Sequence, residues 1–224
     1  MWKHTGVHKR TGRGVASSVE HIVTYQGTYI TLMNNCGFSK TEAQRIEKAF
    51  QELYQVSIQW VRSKLDEAAT TGYVKCAFGL KVRTPLIEQT LLNAGRKAFE
   101  TEAEERTAGN ALGQSWGLLN NRACNAFMER VWASEFKYDI LPVALIHDAI
   151  YLLVRNNPRV VKFVNDNLIK EMEWQDHPEI EHENVRLGAA LDIFYPNWAN
   201  HLTLPNKASE QEIVDLVSDY VNKL

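Results

Sequence analysis

The stretch LIHDAIYLLV at residues 145–154 places two polar residues, His147 and Asp148, inside an otherwise apolar run. A run so rich in strand-favouring residues predicts a buried strand or hairpin. A carboxylate there is costly unless it is paired or binds a metal ion. Asp148 is therefore a candidate metal ligand, and a structural carboxylate beside a histidine is the alternative. A metal site would need a second group, because Mg²⁺ usually takes one or two carboxylates together with phosphates and waters.

Three polar side chains, Arg106, Asn110 and Gln114, are spaced four residues apart in a predicted long helix. This spacing places them along one slowly turning helix face. Small residues surround them, including Gly109 and Gly113, which each cost about 1 kcal/mol relative to alanine inside a helix. Arg, Asn and Gln hydrogen-bond base edges and sugar-phosphate oxygens. The face therefore indicates nucleic-acid contact, with the polar side of an amphipathic helix as the alternative.

The first residues of the chain carry two further candidate features. Tyr25 and Gly27, in VTYQGTY, predict either a plain helix C-cap or an aromatic ring on which a base stacks. Residues 1–14 are basic, and this segment is either a disordered tail or an arm that lies on phosphates. Both alternatives stay open for both features.

Bulk composition narrows the class of protein. The chain has 224 residues, 45% of them apolar and 23% charged, as in ordinary globular proteins. Its net charge of −2 means that any nucleic-acid binding must come from local patches. The three cysteines are widely spaced without a CxxC pair, which fits a reducing compartment and gives no zinc signal. With neither a signal-peptide pattern nor an apolar run of about 18 residues, we expect a cytoplasmic protein without membrane spans.

Hydrophobic periodicity predicts helices mixed with short strands. A capping box from Ser39 to Glu42 begins one helix, a break near 54–57 separates it from the next, and Thr71-Gly72 ends that one. Further predicted elements are a hairpin over 73–87 turning at Phe78-Gly79, a helix over about 96–132, strands near 141–146, 150–154 and 187–195, a helix from Pro158, and a last helix behind a capping box at Ser209 and Glu212. The sum is an α+β fold with an antiparallel sheet.

Taken in order, these segments resemble family A DNA polymerases, the bacterial polymerase I and phage replicative type. The resembling segments are TYQG at the end of the fingers helix, FSKTEAQRIEKAFQELYQVSIQWV (38–61) in the helices after it, GYVKCAFGLKVRTP (72–85) in the GYV…G-R-R…P hairpin, ERTAGNALGQSWG (105–117) in the E-R-x₃-N-x₃-Q-G palm helix, LIHDAIYLL in the V-H-D-E hairpin, and Asn197-Trp198 in the closing segment. The resemblance covers roughly residues 20–205. The YQG and HDA variants are closest to phage members.

The resemblance implies an antiparallel palm sheet with packed helices plus part of a helical fingers subdomain. Residues 20–71 would form fingers-like helices, 72–205 a palm-like region and 206–224 a C-terminal amphipathic helix, behind a basic segment at 1–19. The implied roles are catalysis for Asp148 and His147, Mg²⁺ binding for Asp148 within a two-ion site, DNA contact for Arg83, Arg106, Asn110 and Gln114, and nucleotide contact for Tyr25 and Arg13. The implied partners are primer-template DNA and deoxynucleoside triphosphates (dNTPs).

Two departures from the family pattern bear on activity. The family's first catalytic Asp lies in a D-Y-S-x-I-E-like motif, and these 224 residues contain no such motif. The fingers helix of the family carries R-x₃-K-x₇-Y, and Ser17 stands at the Lys position when counted back from Tyr25. The replacement of HDE by HDA is a lighter change, since that acidic residue is the less critical one.

These departures lead to a hypothesis of split catalysis. We expect the C-terminal part of a phage-type polymerase that acts in the host cytoplasm and needs a separate N-terminal piece carrying the other catalytic Asp. A catalytically inactive DNA-binding remnant is the alternative. A metal-dependent nuclease is disfavoured, because no second carboxylate cluster lies near Asp148 in the sequence, and the acidic stretch 173–183 fits a solvated loop better than a metal site.

Overall fold

The structure is a computed structural model that describes residues 28–90 and 99–223. The chain divides into two compact units between Trp116 and Gly117. Within the described ranges, no helix combines the length and the apolar character that a bilayer crossing requires.

The first unit is mainly helical. Its described helices are α1 (Tyr29–Cys36), α2 (Lys40–Leu53), α3 (Gln55–Thr71), α4 (Pro85–Thr90) and α5 (Phe99–Gln114). Strands β1 (Tyr73–Lys75) and β2 (Lys81–Arg83) form an antiparallel pair around a 3₁₀ turn at Ala77–Gly79.

Local sequence signals set the boundaries of α2 and α3. The Ser39 hydroxyl accepts a hydrogen bond from the Glu42 backbone N–H, and the Glu42 carboxylate accepts one from the Ser39 N–H, so the predicted capping box is confirmed. Tyr54 leaves the helical conformation and separates the two helices, which confirms the predicted break. Gly72 ends α3 at φ +75°, a left-handed conformation in which glycine carries no Cβ penalty.

Two apolar clusters stabilise the first unit. Leu32 of α1 and Ala43 of α2 form one cluster. The second joins α3, the hairpin, α4 and α5 through Ala68, Val74, Cys76, Ile87, Ala108 and Leu112. The buried face of α5 thus includes Ala108 and Leu112, and Ala111 packs against the same cluster.

Two predicted elements of this region have different ends in the structure. The hairpin stops at Arg83, because Pro85 lacks the N–H that a strand ladder needs and suits the first turn of a helix, here α4. The long predicted helix is two helices separated by a 3₁₀ turn at Ser115–Gly117. The Ser115 hydroxyl donates to the Leu112 carbonyl, a local bond that competes with the helical hydrogen bonds of the backbone. The same hydroxyl accepts a long-range bond from the Ala77 N–H, and the two bonds together favour the break.

The second unit combines helices with two hairpins. Its elements are α6 (Leu118–Trp132), β3 (Ile140–Ile146), β4 (Ala149–Val154), α7 (Pro158–Met172), β5 (Leu191–Phe194), β6 (His201–Leu204) and α8 (Glu210–Val221). Both strand pairs, β3–β4 and β5–β6, are antiparallel. The predicted strand at 187–195 shortens to β5, and β6 is an additional strand that the periodicity did not reveal.

The core of the second unit lies where α6 and α7 pack on the β3–β4 hairpin. It is built from Cys124, Phe127, Met128, Val131, Ile140, Val160, Val164 and Leu168. Beside it, Glu171 of α7 is buried and accepts hydrogen bonds from Arg122 and Arg130 of α6. The second predicted capping box, Ser209 with Glu212, begins α8 and is confirmed.

The α+β fold class is confirmed, since helices are mixed with small antiparallel sheets. The described strands pair as three two-stranded sheets, β1–β2, β3–β4 and β5–β6. The division into fingers-like residues 20–71 and palm-like residues 72–205 stays a prediction.

Candidate functional site

The β3–β4 hairpin presents His147 and Asp148 at its tip. Ile146 pairs with Ala149, so the loop between the strands is only two residues long. Both loop side chains are exposed, and Asp148 makes no hydrogen bond or ion pair with another described residue. The interpretation of Asp148 as a buried structural carboxylate is therefore wrong, and an exposed carboxylate stands at this position.

The backbone of this turn is constrained. His147 has φ +55°, in the left-handed region that side chains other than glycine seldom adopt. Conformations of this kind persist where the surrounding structure fixes them, and they concentrate at functional sites. The strain supports a functional interpretation of the turn without specifying its chemistry.

A buried asparagine of α6 holds the turn from the protein side. The Nδ2 of Asn120 donates to the Ala149 carbonyl at 3.1 Å and to the His147 carbonyl at 3.4 Å. Asn120 is 7% exposed. Sequence reasoning missed this residue, because its two acceptors lie 27 and 29 positions away along the chain.

The hairpin behind the tip has one packed face and one open face. Ile150, Leu152 and Val154 pack against the core of the second unit. On the opposite face, the cross-strand partners Leu141 and Leu153 are 54% and 64% exposed. The hairpin is therefore anchored from one side, and its other side is apolar and accessible.

Aromatic rings flank the hairpin on the strand that leads away from the turn. The ring of Tyr151 stacks on Trp198 with centroids 5.0 Å apart and planes 6° apart. The centroid of the Phe194 ring lies 6.1 Å from that of Trp198. Trp198 itself is 68% exposed. The Asn197-Trp198 segment singled out in the sequence is thus in contact with the strand that follows Asp148.

The predicted DNA-contacting residues belong to the first unit. Arg106 and Gln114 of α5 and Arg83 of β2 are exposed. Asn110 is half-buried, and its Oδ1 has no hydrogen-bond partner among the described residues. An unpaired buried oxygen costs free energy, so Asn110 is the member of this row whose residue type is hardest to explain by stability alone.

Two predicted nucleotide-binding residues lie outside the described residues. These are Tyr25 and Arg13, and the basic segment 1–19 lies outside the described residues as well. Their roles stay predictions.

The described residues include no complete metal site. Within 28–90 and 99–223, no group of three or more His, Cys, Asp or Glu side chains is arranged to hold a metal ion. Asp148 fits the role of one carboxylate ligand, but a two-ion site needs further carboxylates that bridge the ions. Burial raises the pKa values of the Cys76 and Cys124 thiols, which argues against thiolate ligation by either.

Comparison with known proteins gives a likeness in structure alone. No family model and no curated protein matches the sequence. Among solved structures, the fold is similar to the POL domain of Pol1 from M. smegmatis in complex with DNA primer-template and dNTP, with a TM-score of 0.60 and 16% identity. The similarity covers 80% of this chain and 30% of that one, so the chain spans less than a third of its neighbour's length. At this identity the likeness shows a polymerase-like fold.

Proposed function

We propose that this chain is the C-terminal catalytic part of a template-directed DNA polymerase of family A, of the phage replicative type. The reaction is transfer of a nucleotidyl group from a dNTP to the 3′-hydroxyl of a primer. The observation that carries the proposal is the exposed Asp148 carboxylate on a strained two-residue turn, in a chain whose fold is similar to a POL domain.

The proposed roles follow the chemistry of each side chain. Asp148 is a ligand for Mg²⁺, which stabilises the charge that develops during phosphoryl transfer when it is bound. His147 lies beside the primer end. Arg106, Asn110, Gln114 and Arg83 contact the primer-template duplex, because their donors match base edges and phosphates. Tyr25 and Arg13 contact the incoming nucleotide.

The second catalytic carboxylate comes from a segment outside these 224 residues. The support for this is the lack of a D-Y-S-x-I-E-like motif in the sequence, together with the lack of a metal-binding cluster among the described residues. The accessible apolar face of Leu141 and Leu153 gives such a segment a surface on which to pack. We propose that the complementing segment is a separate polypeptide and that the complex acts in the host cytoplasm.

Primer extension with and without a complementing fragment tests this function. The fragment is a polymerase N-terminal part that carries the D-Y-S-x-I-E-like motif, and the substrates are a primer-template, dNTPs and Mg²⁺. We expect extension only when both parts are present. A pull-down that shows no association, together with no extension by the mixture, overturns the proposal.

A catalytically inactive DNA-binding remnant is the second candidate. Ser17 at the position of the family's triphosphate-contacting Lys favours it. It predicts duplex binding without extension under any complementation. Arg106→Ala tests duplex binding independently of turnover. Loss of one phosphate contact should reduce the magnitude of the slope of log K for duplex binding against log[salt] by about one.

A further inference from the structure

Behind the β3–β4 turn, the number of hydrogens on the donor equals the number of acceptors that it meets. The Asn120 amide nitrogen carries two hydrogens, and it meets two carbonyl oxygens, those of His147 and Ala149. Rotating the amide would set its oxygen against both carbonyls. The orientation with nitrogen toward the turn is therefore the one that the site allows.

The position of these acceptors matters for Asp148. The carbonyls of His147 and Ala149 belong to the residues immediately before and after it. Holding both fixes the peptide unit that precedes Asp148 and the one that follows Ala149, and so limits the directions in which the Asp148 carboxylate can leave the backbone. The same two bonds hold the segment in which His147 adopts its positive φ.

Stability alone does not account for an asparagine here. Asn120 is 7% exposed, and its Oδ1 is buried without a hydrogen-bond partner among the described residues. A buried unpaired oxygen is unfavourable, and an aliphatic side chain of similar size would remove it. The asparagine keeps the two donors toward the turn despite that penalty.

We infer that Asn120 is a positioning residue that clamps the His147-Asp148 turn and thereby sets the geometry of the Asp148 carboxylate for nucleotidyl transfer. This inference rests on the proposed function for its catalytic part. The clamp itself is a structural statement that holds or fails on its own.

Amide hydrogen exchange measured by NMR on the whole chain tests the clamp. In Asn120→Ala and Asn120→Leu we expect exchange of the turn amides over 146–149 to rise about tenfold, since the variants lose both Asn120 hydrogen bonds, of which the 3.4 Å one is long and weak. The matched control is Asn121→Ala, the exposed neighbour on α6, which should leave these amides unchanged. Exchange in α7 reports any global loss of stability, and it should change little in Asn120→Leu. Equal turn exchange in wild type and in both Asn120 variants overturns the clamp.

Steady-state primer extension by the complemented chain tests the catalytic part. We expect the Asn120 variants to lower kcat by up to about 100-fold, the cost of misplacing a catalytic group by about 1 Å. The KM for dNTP and the Kd for the duplex should stay at wild-type values, which a general loss of folded protein would not produce. An unchanged kcat despite faster turn exchange overturns the positioning role. A wild-type chain that extends no primer overturns the proposed function, while the exchange measurement still decides the clamp.

Discussion

His147 shows at the scale of one residue how a site is made from backbone conformation. Its φ of +55° costs a residue with a Cβ about 1–2 kcal/mol, and the turn keeps it nonetheless. Asp148 beside it is exposed and free of ion pairs with described residues, so its carboxylate is available to a ligand. A positive φ is usual in two-residue hairpin loops, where glycine or asparagine normally adopts it, so the unusual feature of this turn is that a histidine does so beside an exposed carboxylate.

Replacing His147 separates strain from function. We expect His147→Gly to raise the free energy of unfolding by about 0.5–1 kcal/mol, because relief of about 1–2 kcal/mol exceeds the roughly 0.5–1 kcal/mol by which glycine favours the unfolded chain. His147→Ala keeps the Cβ and should give no gain. Urea unfolding measures both. Lys207→Gly is the matched control, since Lys207 has φ +63° in a turn without a proposed role, and it should stabilise without loss of primer extension. A less stable His147→Gly would contradict the strain account.

At the scale of elements, α6 and α7 are joined by a charged contact. The Glu171 carboxylate, 6% exposed, lies 2.9 Å from Arg122 and 2.6 Å from Arg130. The Arg122 guanidinium also lies 4.0 Å from the Trp174 ring. Because α6 carries Asn120, this contact also fixes the position of the helix from which Asn120 holds the β3–β4 turn.

Removing Glu171 should loosen that helix pair. We expect Glu171→Ala to lower the free energy of unfolding by about 3 kcal/mol, the lower end for breaking a buried ion pair, since both arginines keep part of their hydration. Glu173→Ala, an exposed neighbour, should change it by less than about 0.5 kcal/mol. Urea unfolding followed by circular dichroism distinguishes the two, and equal effects would mean that the contact contributes nothing specific.

The capping box of α8 predicts a pH dependence. The Ser209 backbone N–H and then its hydroxyl hold the pKa of Glu212 below the ordinary value. A carboxyl group whose pKa is lowered by folding stabilises the folded state at pH values above its unfolded pKa, which is about 4.3 for glutamate. That stabilisation is lost as the pH falls through the pKa of the folded state.

Two variants of α8 test this sign. Glu212→Gln should flatten the dependence of α8 stability on pH below about 4.3, whereas Glu210→Gln, outside the capping box, should leave it intact. The measurement is amide exchange across α8 as a function of pH. An unchanged slope in Glu212→Gln would show that the carboxylate does not stabilise the helix start.

The signals that sequence reasoning used well were local. Capping boxes at Ser39 and Ser209, the left-handed end at Gly72 and the run of strand-favouring residues around His147 each depend on residues a few positions apart. The break between α5 and α6 depends instead on the bond from Ala77 to Ser115, 38 positions away. The clamp by Asn120 is equally distant from its acceptors, so one sequence without the fold offers no sign of it.

Across the whole molecule, a polymerase-like fold is combined with one proposed metal-binding carboxylate, Asp148, and the described residues hold no cluster of three metal-binding side chains. The structural likeness covers 80% of this chain and 30% of the POL domain chain. This chain's net charge of −2 is not that of a general nucleic-acid binder, so the proposed DNA contact depends on particular side chains such as Arg83 and Arg106. The proposed reaction therefore requires Asp148 of this chain and a second carboxylate from another segment.

Primer extension by Asp148→Asn in the complemented complex shows whether Asp148 is the catalytic carboxylate. The wild-type chain with the fragment should extend the primer, and Asp148→Asn should abolish extension while the duplex Kd stays within about twofold, since the change removes a metal ligand but no DNA-binding donor. Asp176→Asn, in the exposed acidic loop, is the control and should extend as wild type does. Extension that survives in Asp148→Asn would contradict the assignment of Asp148 as the catalytic carboxylate.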